Sequence, residues 1–453
     1  MNQSHWQKTT KKKMNKKVDT DFDTDILIIG GGMSGIALAY YLKESGYRIT
    51  VVEKDEIGSH TSGHTTAKVT ALHGLLYEQI TKHYNIHQAY LYYQSQVQAL
   101  QDIEEIIKKE HIQCDYQKNN AYIYSNVPVY ASLIDIQKDI FCSFRVPLLQ
   151  DQHYLSSMGL EDQAIFHPLK YLYALVQICE KHHIYIYEHS EANKIERNDN
   201  GFKVHVNQHQ ITCRYLIHAT RYPFIKKDFY FLKLFQQMEN IDYVNDYYGD
   251  DSYLEIGKSY SYRPVNQDCL TIDKQASDWF AQDSIPLRGI PYIGQLDKYR
   301  QEYVMYGYQK WGMTLSHVGA RLIRDLILEK ENPYEELYAC HYFSLSFAKR
   351  YQSQIIQNNK RGYITNHKVH KTLDSLKQQE GALIKINGKL RAVYKDKKGH
   401  LSIFSPYCPH LKGLIEFDKK NKVWRCPCHQ SVFDAYGKLI EGPSLYDLYH
   451  KEI

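Results

Sequence analysis

Two short cysteine–histidine pairs near the C-terminus constrain this chain more than any other feature. They read Cys408-Pro409-His410 and, after 15 residues, Cys426-Pro427-Cys428-His429. Each pair offers one thiolate and one imidazole within a tight loop. Four ligands of these two kinds hold zinc or iron once the loops meet. The chain around Cys408, His410, Cys426 and His429 must therefore fold so that two loops distant in sequence become neighbours.

The residues ahead of these pairs favour short strands. A run at 382–386 leads into Asn387-Gly388, a strong hairpin turn. Residues 391–394 pair back, Lys398-Gly399 turns again, and 401–404 is the next strand. Residues 373–453 thus form a small antiparallel β domain. A polar stretch rich in Gln and Asn at 352–360 marks a linker, placed at 351–372.

At 453 residues, with 43% hydrophobic and 24% charged residues, the chain is expected to be globular, soluble and built of two or three domains. The net charge of +5 is small. Lys8, Lys11, Lys12, Lys13, Lys16 and Lys17 precede the first apolar run, and Asp19, Asp21, Asp23 and Asp25 cancel them at once. Residues 1–23 therefore read as a flexible basic tail and not as an arm for nucleic acid or lipid. No apolar stretch follows the lysines, as a secretory signal would require, and no window nears the ~20 apolar residues of a membrane span. Six of the nine cysteines are scattered, at Cys114, Cys142, Cys179, Cys213, Cys269 and Cys340, which suits thiols in a reducing cytoplasm.

Near the N-terminus, residues 26–29 read as a buried parallel strand. Gly30-Gly31-Gly32 turns, 33–45 is helical with Ile36, Ala39, Tyr40 and Leu42 apolar, Gly46 ends the helix, and 48–53 is a second strand. In this βαβ unit Gly30 permits the turn, Gly32 lets backbone approach a pyrophosphate at the helix N-terminus, and Gly35 lets helix and strand pack closely. Glu53 can accept from ribose hydroxyls. The unit predicts dinucleotide binding. Further on, Tyr93, Val97, Leu100, Ile103 and Ile107 recur at helical spacing and read as a packing helix.

Small and hydroxyl residues follow Glu53 in Gly58-Ser59-His60-Thr61-Ser62-Gly63-His64-Thr65-Thr66-Ala67-Lys68. With this stretch the chain resembles the D-amino-acid-oxidase-like FAD oxidoreductases. Within them it is similar to the bacterial branch that fuses such a flavoprotein to an iron–sulfur domain. Phe166-His167-Pro168-Leu169-Lys170, Ala219-Thr220-Arg221-Tyr222-Pro223 and Gly307-Tyr308-Gln309-Lys310-Trp311-Gly312-Met313-Thr314 carry the likeness further. The resemblance implies an FAD-binding Rossmann-like α/β (α+β) domain over 24–350 with an interleaved substrate domain. It implies FAD contacts from Gly30, Gly32, Ser34 and Gly35, and from Glu53 and Lys54. Ser62, His64, Thr65 and Thr66 would add contacts, as would Ala219 and Thr220. Gly307, Gly312, Met313 and Thr314 would lie over the flavin ring, where a helix at 316–328 turns its N-terminal dipole toward the pyrimidine edge. The alternative for this last motif is a Gly/Trp turn of purely structural value. In the related dimethylglycine-dehydrogenase-like enzymes, a histidine at the offset of His64 is bonded covalently to the flavin. The resemblance therefore places His64 beside the isoalloxazine.

The two Cys–His pairs and their spacer are likewise similar to a Rieske [2Fe–2S] domain, in which two cysteines hold one iron and two histidines the other. Zinc is the alternative. Ser431 stands where a hydroxyl can hydrogen-bond a bridging sulfide, and Gly442-Pro443 matches the loop that covers such clusters. Two departures follow. Gly413 stands where many Rieske domains have a cysteine paired with the one matching Cys428, so no disulfide staples the loops. Phe433 replaces a tyrosine that donates to a cysteine sulfur, so the potential is expected below the top of the ~−150 to +300 mV range.

Together these features imply that the chain oxidises a small molecule at FAD, for this family a C–N bond in an amine or amino acid. Electrons would then leave one at a time through the cluster to an external acceptor protein or quinone. No second nucleotide-binding unit is present for NAD(P)H, and no iron site of two histidines and a carboxylate follows the cluster motif. Lys68, His73, Lys310 and Trp311 are candidates to hold substrate, each also explicable by packing or flavin contact; no general base can be named. Two other readings stand beside this one: an electron-transfer module with no small substrate of its own, and a redox sensor.

Overall fold

The computed structural model describes residues 3–11, 14–198, 201–221, 234–245, 249–257, 260–265, 268–272, 278–286, 288–296, 301–340, 372–410, 412–427, 431–442, 444 and 446–450. The chain divides into two compact units, one comprising Ser344–Ile453 with Met1 and Phe235–Met238, the other Asn2–Leu234 and Glu239–Phe343. The expected linker at 351–372 lies outside the described residues except for Thr372.

The larger unit is built on the expected βαβ start. Strand Phe22–Ile29 lies between parallel neighbours Ile49–Val52 and His209–His218, with Ile29 opposite Val52 on one side and His218 on the other. Tyr185–Tyr187 extends one edge, and Glu302–Tyr306 and Tyr292–Gln295 the other. Strands buried on both faces need continuous apolar runs, and Ile26, Leu27, Ile28 and Ile29 supply one. Helix Met33–Tyr41 ends earlier than the expected 45, because tight turns at Lys43 and Ser45 replace its last helical bonds. Its small residues suit a crowded place, since it packs against both Pro168–Lys181 and Gly312–Ile327. The last of these helices begins at Gly312, four residues before the expected start.

A second, mixed eight-stranded sheet runs Trp279–Pro286, Leu234–Val244, Asp268–Ile272, Tyr260–Val265, Ser252–Glu255, Gln117–Ser125, Ser156–Ile165, Lys68–Val69. Helix Ile86–Lys109 buries Tyr92, Ala99, Leu100, Ile103 and Ile106; of the expected stripe Leu100 and Ile103 are buried, while Tyr93, Val97 and Ile107 are half-buried beside them.

One expectation fails outright. Residues 4–11 and 14–23 are not a free tail. Helix His5–Thr9 has a capping box from Ser4 and Gln7, Trp6 is 1% exposed, and Val18 is buried. The lysines misled because a few buried side chains among exposed ones are enough to anchor the segment. Lys8, Lys11, Lys16 and Lys17 are exposed, while Ser4, Trp6 and Val18 between and beside them anchor the segment. Lys12 and Lys13 lie outside the described residues.

The smaller unit is all β where it is described. Glu380–Ile386, Lys389–Lys395 and Leu401–Phe404 form an antiparallel meander, and Asn387 and Gly388 take the two positive φ values that the tight turn demands. A four-stranded sheet follows: Glu416–Asp418, Val423–Arg425, Val432–Asp434 and Leu439–Glu441. Its core contains Tyr394, Phe404, Trp424 and Phe433, together with Cys408 and Cys426. Among the described residues, no helix is long and apolar enough to cross a membrane.

Candidate cofactor sites

The glycine turn sits between strand and helix under tight steric limits. Gly30 has φ +115°, and a β-carbon there would lie 2.6 Å from the Ala219 carbonyl oxygen. A β-carbon on Gly35 would come within 2.0 Å of the Gly30 oxygen. Gly32 caps helix Met33–Tyr41 without a side-chain hydrogen bond, and the Met33 N–H donates to Ser62 Oγ at 2.9 Å. Glu53 does more than await a ribose. Its carboxylate accepts from the Gly31 N–H at 2.7 Å and from the Asp55 N–H at 3.0 Å, so it also fixes the turn. Gly30, Gly32, Gly35, Glu53, Ser62 and Ala219 are thus brought together. Lys54 is not among them; it is exposed and pairs with Asp55 at 3.2 Å.

The 58–68 stretch folds into a short helix, Thr61–His64, and a two-residue strand. His64 is 4% exposed. Its Nδ1 donates to the His60 carbonyl at 2.8 Å, which leaves Nε2 as a bare acceptor. That Nε2 is buried without a hydrogen-bond partner. Burial is the chief cause that lowers the imidazole to about 4, so it is neutral at physiological pH. Thr65 and Thr66 are half-buried, and Thr65 Oγ1 accepts from the Ala67 N–H.

On the opposite side of the fold's sequence, Gly307 (φ +83°), Gln309 and Lys310 all adopt positive φ. Two successive non-glycine residues in that region mark a strained turn. Tyr308 reaches back to Ser34, whose hydroxyl donates to its phenol at 3.1 Å, which ties this turn to the first helix. Helix Gly312–Ile327 has no side-chain cap, and Met313 and Thr314 lie buried in its first turn. The four substrate candidates separate. Lys310 is exposed. His73 donates from Nε2 to the Thr70 carbonyl and accepts at Nδ1 from the Tyr92 hydroxyl, while its ring stacks on Trp311 at 4.5 Å. Both its nitrogens are engaged in packing. Lys68 donates to the Tyr253 carbonyl at 2.8 Å and to Ser261 Oγ at 2.5 Å, and burial lowers its ammonium to about 7.

Sequence reasoning missed Arg263. It is 3% exposed, and its guanidinium donates to the carbonyls of Thr66, Ala67, Phe166 and Pro264. An arginine on the buried phase of an alternating strand was the available signal.

In the smaller unit, the thiols of Cys408 and Cys426 hydrogen-bond one another, and both residues are at most 1% exposed. That neighbour first, and burial second, drive the Cys408 thiol far above its ordinary value. Two buried thiolates side by side need a cation, which is what a metal centre supplies. The loops are shaped by backbone bonds: Cys408 N–H to Gly413 O, Lys412 N–H to Cys408 O, and Cys426 N–H to Ser431 O. Ser431, fully buried, hydrogen-bonds the Cys408 thiol and accepts from the Ser444 N–H at 2.9 Å. His410 lies two residues beyond Cys408, on the same loop. Gly413 stands at the expected staple position and Phe433 is fully buried. Cys428, His429 and Pro443 lie outside the described residues.

The glycine turn and the Cys408–Cys426 pair fit the groups the resemblance implied. Gly30 and Gly35 leave no room for a side chain, a β-carbon on Gly32 would lie 3.1 Å from Ser62 Oγ, backbone at all three can meet a pyrophosphate, and the His64 Nε2 is a buried acceptor in want of a neighbour. Comparison with known proteins agrees. The family description "FAD dependent oxidoreductase" (DAO) matches residues 25–222, and "Rieske [2Fe-2S] domain" matches residues 367–449. A Bacillus subtilis protein named as a Rieske 2Fe-2S iron-sulfur protein, YhfW, is 27% identical over 98% of this chain and 97% of its own length. The gamma-glutamylputrescine oxidoreductase of Escherichia coli is 22% identical over 67% of this chain and 83% of its own. Glycine oxidase from Geobacillus kaustophilus superposes with a TM-score of 0.60 at 14% identity, covering 71% of this chain and 100% of that one. This chain therefore carries a DAO-type FAD-dependent oxidoreductase domain over residues 25–222 and a C-terminal Rieske [2Fe–2S] domain over residues 367–449.

Proposed function

We propose that the chain oxidises a C–N bond of a small amine or amino acid at its FAD and hands the electrons singly, through the cluster, to an external acceptor. One observation carries this reading: a glycine-and-helix cradle and a pair of adjoining buried thiols stand on one polypeptide. Bound FAD takes two electrons as a hydride, and a [2Fe–2S] cluster carries one at a time.

In this reading the chain's own residues bind, orient and shield. Backbone at Gly30, Gly32 and Gly35 meets the pyrophosphate, with Ser34 beside it and Glu53 on the ribose. Ala219 and Thr220 close the other side of the turn. Gly307, Gly312, Met313 and Thr314 present a helix N-terminus to the flavin, and Ser62, His64, Thr65 and Thr66 line it. Cys408 and Cys426 hold one iron, His410 and His429 the other.

Lys68 is the candidate of choice to meet the substrate. Its two bonds to Tyr253 O and Ser261 Oγ leave one N–H of the ammonium to direct elsewhere, and with a value of about 7 it can hold or release a proton near neutrality. His73 has no such freedom.

The test is anaerobic mixing with a panel of amines and amino acids, with flavin absorbance and the cluster's electron paramagnetic resonance followed together. Bleaching by one compound, followed by the reduced-cluster signal, is the expected result. No bleaching by any of them, with rapid reduction by a ferredoxin, would replace the dehydrogenase with a carrier of electrons between proteins.

A further inference from the structure

Within residues 59–67 lie the short helix Thr61–His64, the bond from His64 Nδ1 to the His60 carbonyl and that from the Ala67 N–H to Thr65 Oγ1. Their own backbone contributes Ser59 N–H to Glu56 O and Gly63 N–H to His60 O. Ala67 is held at φ +56°, a conformation that costs a non-glycine residue energy and persists only where the surroundings enforce it.

The enforcing groups come from elsewhere. The carbonyl of Gly63 accepts from Ser4 Oγ, that of His64 from Trp279 Nε1 at 3.0 Å, and that of Thr65 from Trp6 Nε1 at 2.6 Å. The carbonyls of Thr66 and Ala67 accept from the Arg263 guanidinium at 2.9 and 3.0 Å. Gln7 Nε2 donates to the Ser59 carbonyl at 3.1 Å. Five successive carbonyls, from Gly63 to Ala67, are thus held by side chains distant in sequence. Fixing the peptide planes fixes the direction of each side chain between them, that of His64 included.

The N-terminal segment that supplies three of these bonds is itself tied down on several sides. His5 stacks on Tyr243 at 4.4 Å, and Arg263 lies over the Trp6 ring at 5.0 Å. Thr9 and Thr10 both bond His167 Nε2. Farther along, the Asn15 N–H donates to one oxygen of Glu188, whose other oxygen accepts from the Ile57 N–H at 2.6 Å. The segment therefore grips the stretch near both of its ends.

We infer that residues 4–10 are a clamp that positions the 59–67 stretch for FAD, with Trp6 and Ser4 as its positioning residues. The inference rests on the proposal that Ser62, His64, Thr65 and Thr66 line the flavin. It explains why a solvated-looking segment buries an indole and a serine, and why the stretch tolerates a strained alanine. None of the clamp residues touches the reacting atoms in this account; they act through the backbone of residues 59, 63 and 65.

Four variants of the full chain test this: Trp6→Phe, Trp6→Ala, Ser4→Ala and, on the stretch itself, His64→Ala. Three readouts are compared: the rate of FAD release on dilution, the visible circular dichroism of the bound flavin, and the melting temperature of the FAD-free protein. Trp6→Phe keeps a buried ring and loses only the bond to Thr65, so release should quicken by about fivefold, the equivalent of one lost hydrogen bond. Trp6→Ala should exceed that, and both should alter the flavin's circular dichroism, as His64→Ala does. If His64→Ala alters the flavin signals but the Trp6 and Ser4 variants lower only the FAD-free melting temperature, the clamp is overturned and the lining proposal survives. If His64→Ala leaves every flavin signal unchanged, the lining proposal falls and the clamp with it. Should Trp6→Ala fail to fold, Trp6→Phe and Ser4→Ala decide the matter alone.

Discussion

The two units hold their groups by opposite means. In the larger one the cradle is mostly backbone: glycines too crowded for a β-carbon, an uncapped helix end, and carbonyls pinned by distant side chains. In the smaller one the candidate ligands are side chains, and two of them, Cys408 and Cys426, are part of the hydrophobic core itself. The larger unit should therefore fail when atoms are added, and the smaller when a single sulfur is replaced.

The sharpest way to break this comparison is Cys408→Ser or Cys426→Ser. Each should abolish the cluster, with iron falling to background and the reduced-state paramagnetic signal gone, while FAD content stays at that of the parent protein. Retention of a full iron complement would remove the residue from the ligand set. The mirror experiment adds one methyl. In Gly35→Ala the new carbon would lie 2.0 Å from the Gly30 oxygen, so the turn must open. FAD should be lost on purification, with iron unchanged. Loss of both groups from either variant would show that the two units do not fold separately.

A smaller effect separates the units by acid. Glu302, 1% exposed, accepts from His218 at 2.8 Å and from Arg197 at 2.6 Å. Burial alone would raise its carboxyl, but those two bonds prevail and hold it at about 2, against 4.5 for an ordinary glutamate. Because the folded group titrates below the unfolded one, its contribution is complete above pH 4.5 and is lost as pH falls toward 2. The difference corresponds to about 3 kcal/mol. In Glu302→Gln the larger unit should be less stable near neutrality and should lose much of its acid sensitivity between those values, as followed by flavin release. The smaller unit keeps its own pair, Arg425 with Asp418 at 3.0 Å, and contains no altered residue, so its melting should not change in the variant. An unaltered acid limb in Glu302→Gln would remove this carboxylate as the cause.

The same contrast decided what was readable beforehand. Chemistry carried by side chains at close spacing was legible, as at Cys408-Pro409-His410 and the Asn387-Gly388 hairpin. So was the βαβ start, since strand, glycine turn, helix and Glu53 lie within 30 residues of one another. The roles of His73 and Lys68 were not separable, because residue type alone does not reveal whether a nitrogen is already engaged. Arg263 was passed over because its acceptors are carbonyls at residues 66, 67 and 166, which leave no mark in the sequence.

By itself, then, the sequence determined the two Cys–His pairs, the glycine turn and the apolar strand behind it. These follow from covalent neighbours and from steric limits that hold in any context. The tertiary structure alone decided that a lysine-rich N-terminus becomes an anchored arm, held by Ser4, Trp6 and Val18. Composition averages over a segment, but burial is settled residue by residue, by whether an indole finds an acceptor some 60 residues away. It also decided the setting of residues 59–67, whose carbonyls at 63, 64, 65 and 67 are held by Ser4, Trp279, Trp6 and Arg263. Contacts between residues about 200 positions apart carry no local signature, and the carbonyls of this stretch are held by them.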